Sequence, residues 1–137
     1  MSSAAEARFR IQAPPTARAV IVIPLDTGSE RLVTTMSERA WSGVSFLPAS
    51  AAADLLKDVD VDLVVMVAAV GADASAAAAI GEACSGRRIP TATCVVRGAS
   101  TSDAALSSTL AQVRPWSLMV VIANDHDYVE DLLRSFR

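Results

Sequence analysis

A chain of 137 residues, 52% of them hydrophobic, 20% charged and 4% aromatic, is one domain of ordinary size, able to bury about two-thirds of its unfolded surface without metal or disulfide staples. That composition excludes a disordered or fibrous chain. The net charge of −3, with eleven scattered arginines and Lys57 as the one lysine, supplies no basic stripe to neutralise phosphates, and so excludes nucleic-acid binding by bulk electrostatics.

Residues 1–17 are rich in Ser, Ala, Pro and Arg without a sustained period, and are expected to form a flexible arm ahead of a single α/β domain over 18–137. The run Ala19 to Ile23 is continuously apolar, as in a strand covered on both faces. The loop Pro24 to Ser29 follows, then a helix over Glu30 to Trp41, with Leu32, Met36 and Ala40 on one stripe and Ser29 as its N-cap. Gly43 ends that helix, Val44 to Leu47 is the second strand, and Ser50 to Leu56 a short helix.

Leu63 to Ala69 is the most hydrophobic segment and is expected at the centre of the sheet. Ala74 to Cys84 is an alanine-rich helix closed by Ser85 and Gly86, with Arg87 and Arg88 as capping cations. Thr91 to Val96 is the fourth strand. Thr101 or Ser102 caps a helix running to about Gln112, Pro115 blocks its continuation, and Ser117 to Ile122 is the last strand. Asn124 and Asp125 open a final helix whose Tyr128, Val129, Leu132, Leu133 and Phe136 fall at amphipathic spacing. This strict alternation predicts a three-layer, doubly wound, mostly parallel five-stranded sheet of Rossmann-like type.

Cys84 and Cys94 lack Cys-x-x-Cys spacing and read as reduced, small core residues. Trp41 and Trp116 are expected to pack at the amino edge of the sheet, unless they mark a partner surface. Met1 to Ala7 carries no basic segment leading into an apolar run. The most apolar stretch, Val61 to Val70, contains Asp62 and is too short to span a bilayer. A cytoplasmic protein without a membrane or nucleic-acid partner is expected.

In an open parallel sheet, ligands bind beyond the carboxyl ends of the strands. The residues placed there are Asp26, Thr27, Gly28 and Ser29 after the first strand and Ser50 after the second. Gly71, Asp73 and Ser75 follow the third, Arg97 the fourth, and Asn124 and Asp125 the fifth. Neither Gly-x-Gly-x-x-Gly nor Gly-x-x-x-x-Gly-Lys-Ser/Thr occurs, so no glycine-rich phosphate cradle is present. Asp26, Asp73 and Asp125 would set three carboxylates around one edge, which repel one another unless Mg²⁺ or Arg97 intervenes. The same aspartates and serines also suit helix N-termini as caps. His126 lies between two aspartates with no second histidine to complete a metal site, and a Gly-x-Ser-x-Gly elbow is missing. No catalytic or metal-binding residue is assigned.

Taken in order, Arg18 to Ile23, Met36 to Trp41, Gly43 to Leu55, Asp62 to Ala69, Ala76 to Ala83, Thr91 to Val96 and Leu118 to Asp125 resemble pieces of the nucleotide-binding domain of the tubulin-like division GTPase FtsZ. The resemblance implies a tubulin-type fold and a GTP/GDP site. The family's glycine cluster is here Pro24-Leu-Asp-Thr-Gly-Ser, and its signature loop Gly71-Ala-Asp-Ala-Ser-Ala. The segment between Leu56 and Val61 is too short for the family's extra strand, and the chain stops before the domain with the catalytic acidic loop. GTPase activity is therefore not expected from this chain alone. The expectation is a non-catalytic binding or regulatory domain without cofactor, working through a protein partner or as a homodimer. The alternative is a small-molecule or nucleotide-binding enzyme with a Mg²⁺-assisted site at the carboxyl edge.

Overall fold

Five β-branched runs form a sheet, and the alanine-rich and amphipathic stretches between them cover its two faces. The computed structural model describes residues 19–135; the expected arm and Phe136 lie outside them. The elements in chain order are β1 (Val20–Pro24), α1 (Thr27–Ser37), β2 (Val44–Phe46), α2 (Ala49–Leu55), β3 (Leu63–Ala69), α3 (Ala76–Gly86), β4 (Thr91–Val96), α4 (Asp103–Val113), β5 (Met119–Ala123) and α5 (His126–Ser135), with a short 3-10 turn at Arg114–Trp116 before β5.

All strands are parallel, in the order β2-β1-β3-β4-β5. The expected parallel five-stranded α/β sheet is present, with β3 at its centre. Val22 stands opposite Phe46 and Val65, Val65 opposite Ala92, and Thr93 opposite Met66 and Val120. Side chains alternate between faces along each strand. Ile21, Ile23, Val64, Met66 and Ala68 therefore enter one core with residues of α2, α3 and α4, while Val20, Val22, Val65 and Val67 enter the other with α1 and α5. This is the flavodoxin-type winding. The tubulin-type subclass is not what forms: β2 is an edge strand, α2 returns directly to β3, and no further strand lies outside β2 among the described residues.

Several helix ends differ from expectation for local reasons. Helix α1 starts at Thr27 because Asp26, in extended backbone, is its N-cap; Ser29 is a buried residue of the first turn. Helix α2 starts at Ala49 after Pro48, with no side-chain cap, so Ser50 is simply an exposed residue of its first turn. Helix α4 carries the expected cap, with Ala105 N–H donating to Ser102 Oγ at 3.1 Å. Arg87 does not cap α3 with its side chain. Its guanidinium donates to the carbonyls of Leu56 and Val59, tying the α2–β3 connection to the end of α3. Arg88, at φ 58°, turns the chain into β4.

Both thiols are buried and free. Desolvation pushes the Cys84 and Cys94 thiols up to about 11. Trp116 lies against α3 at Gly81, where an added Cβ would come within 2.5 Å of the Trp116 Cβ. Trp41 donates its indole N–H to the Met36 carbonyl at 2.7 Å, meets Phe46 edge-on, and is covered by the Arg134 guanidinium. Both indoles are half-buried, so packing explains them.

Candidate functional site

In a sheet of order 2-1-3-4-5 the winding reverses between β1 and β3, and the crevice beyond their carboxyl ends is where this fold seats a ligand. Here that crevice is bridged by Asp26. Its Oδ1 accepts from the Ser29 N–H at 2.8 Å. Its Oδ2 accepts from the Ser29 hydroxyl at 3.1 Å and from the Ala69 N–H at 2.8 Å. One carboxylate thus caps α1 and pins the last residue of β3. Gly28 sits just above, with open space except for Asp26 Oδ1 and the Ala69 Cβ, and Thr27 is exposed.

The remaining candidates lie along the same edge but do not converge. Asp73 accepts from the Ser75 N–H at 2.9 Å. The Ser75 backbone and side chain, with a smaller contribution from Gln112, hold its carboxyl below the usual range against a weaker opposing desolvation. Gly71 adopts φ 89°, a left-handed turn that suits glycine. Its N–H donates to the buried Thr109 hydroxyl, and the Ala74 N–H to Gln112 Oε1, so the β3–α3 loop is tied to α4. Arg97 pairs with Asp103 at 2.7 Å and points at neither Asp26 nor Asp73. Asp125 caps α5 through the Tyr128 N–H at 2.8 Å, and Asn124 is exposed beside it. The three aspartates that would have shared a Mg²⁺ each close their own loop. Among the described residues no group of three or more His, Cys, Asp or Glu comes together as a metal site. Ser50 lies on α2, after the outermost strand.

His126 is the feature that sequence reasoning undervalued. It borders three adjoining clefts of about 290, 380 and 430 Å³. The smallest runs past Gly28 and Thr101, the second past Arg97, and the largest between α1 and α5 past Arg31. The signal lay in its position at the first turn of α5, which covers the same face of the sheet as α1. At the opposite, amino edge a cleft of about 480 Å³ is lined by Trp116, Arg88, Pro90 and Leu118.

The exposed apolar surface is equally informative. Leu118 is 81% exposed, Met119 and Ile122 42% each, and Tyr128 48%. The first three belong to β5 or adjoin it, and β5 is an edge strand. The patch centres on β5, with Tyr128 of α5 nearby, and not on the two tryptophans, which are half-buried. No helix among the described residues is long and apolar enough to cross a membrane.

No family model matches this chain, and no curated protein does. Among solved structures, the chain is similar to the signal receiver domain of NarL from Mycobacterium tuberculosis. The TM-score is 0.47 and the identity 16%, over 88% of this chain and 98% of that one. The resemblance to FtsZ and tubulin is corrected by the fold itself: the strand order β2-β1-β3-β4-β5 is the flavodoxin type. The segments that suggested the resemblance are alternating apolar strands, which any doubly wound domain shares.

Proposed function

We propose that this chain is a non-catalytic binding or regulatory domain that acts through protein–protein contact. The observation that carries the reading is β5, an edge strand whose Met119 and Ile122, with neighbouring Leu118, leave apolar side chains in water. Monomeric domains rarely leave such an edge without a charge, proline or bulge to protect it. The carboxyl edge supports the same reading: Asp26 spends its hydrogen-bonding capacity on Ser29 and Ala69, Asp73 and Asp125 are occupied at α3 and α5, and Arg97 is paired.

A second reading rests on the three clefts around His126, which could seat a small molecule or nucleotide, with Mg²⁺ if the aspartates reoriented. Calorimetric titration with GTP, GDP, ATP and NAD⁺, each with and without Mg²⁺, separates the two. The interaction reading expects no heat at millimolar ligand. Micromolar binding that disappears when Gly28 is replaced by Trp would overturn it and establish the carboxyl edge as a ligand site.

A further inference from the structure

The two edges of the sheet are built differently. Strand β2 has three residues, with Ser45 exposed, and is flanked by Gly43 and Pro48, so it offers little to a further strand. Strand β5 has five residues, all apolar, with no lysine, proline or charge among them. The Arg97 N–H donates to the Ala123 carbonyl at 2.8 Å, and Val96 and Ala123 are register partners. Because alternate residues of a strand turn their N–H and C=O groups to the same neighbour, Met119, Val121 and Ala123 bond towards β4. Val120 and Ile122 turn theirs outward.

We propose that β5 pairs antiparallel with β5 of a second copy of this chain, about a two-fold axis through Val120, joining two five-stranded sheets into one. The inference rests on the interaction reading above and names its partner. A two-fold axis normal to the sheet keeps each helical layer on its own side and pairs residues whose numbers have equal parity. Centred on Val120, it lets the two Val120 residues exchange a pair of N–H···O bonds. It also sets Met119 opposite Val121 and Leu118 opposite Ile122 of the other copy, so each exposed apolar side chain meets another. A shift of one register step would set Leu118 against Asn124.

Charge selects the same arrangement. At the amino end of β5 lies Arg114, in the turn that enters the strand, exposed and without an ion pair among the described residues; at its carboxyl end lies Asp125, in the turn that leaves it, also exposed. Antiparallel pairing brings the basic end of each copy to the acidic end of the other, twice by symmetry. A parallel arrangement would put like charges together.

Sedimentation equilibrium on the chain tests the pairing. The expected result is a mass twice that of the monomer. Val120→Pro removes only an outward N–H, which an edge strand tolerates, and yields a monomer with an unchanged circular-dichroism spectrum. Ile122→Lys weakens association by roughly tenfold or more. Arg114→Asp weakens it as well. Amide exchange adds a residue-level readout: Val120 and Ile122 gain protection with concentration, whereas Met119 and Val121 are protected throughout. A monomer at every concentration, or a dimer that survives both Val120→Pro and Ile122→Lys, overturns the proposal. A monomer that gives no heat with nucleotides sinks this pairing alone, whereas nucleotide binding at the carboxyl edge sinks the interaction reading itself.

Discussion

Asp26 does the most with the fewest atoms. It satisfies an orphan N–H at the start of α1, receives a buried hydroxyl, and fastens β3 to β1 at the point where the winding reverses. Asp26→Ala leaves the Ala69 amide and the Ser29 groups without their partner, and is expected to cost ~2 kcal/mol in urea denaturation. Asp26→Asn keeps an acceptor and loses less. A change with no stability cost would show that water replaces the carboxylate and that the crevice is open. From the sequence, Asp26 was legible as a loop carboxylate in the right place, whereas its partner Ala69 was not. That pairing spans 43 residues and exists only because β1 and β3 are neighbours. The caps depend on nearby chain alone, which is why the cap of α4 could be narrowed in advance to Thr101 or Ser102, of which Ser102 serves, while the choice between Asp26 and Ser29 turned on backbone geometry at a single residue.

At the scale of elements, β3 and β4 were legible to the residue, since they are uninterrupted runs bounded by polar or turn residues, whereas β1, expected over Ala19 to Ile23, runs one residue later, over Val20–Pro24. Strand β5 has the same apolar composition but stands at the edge. Its exposure could not be read from composition, because winding order and not hydropathy decides which strand comes last. The close approach of α3 to the turn before β5 is the other long-range feature. It depends on Gly81, whose place against Trp116 has no room for a methyl group. Gly81→Ala gains helix propensity but must displace the indole, and the net expectation is a loss of about 1–3 kcal/mol, seen as a lower thermal midpoint with a changed tryptophan fluorescence. A neutral or stabilising effect would mean that the 3-10 turn yields easily.

Across the molecule, two cores separated by the sheet each hold one thiol, Cys84 with α2, α3 and α4 and Cys94 with α1 and α5. Burial keeps both protonated up to about 11. Unfolding frees them to ionise near their ordinary value of about 8.5, so over that interval the folded chain binds more protons than the unfolded one, and stability falls as pH rises. Chemical denaturation at pH 7.5 and pH 10 should show the loss, and a Cys84→Ala, Cys94→Ala double variant should lessen it. A parallel decline in wild type and variant would assign it to other groups. The same placement makes the thiols paired clocks for native-state opening. Helix α5 buries only Val129 and Leu133 among its described side chains, so its layer is expected to swing away more often than α3's. Under brief alkylation of the folded protein, Cys94 would then be modified before Cys84, timing the loosening of each layer without any label being introduced.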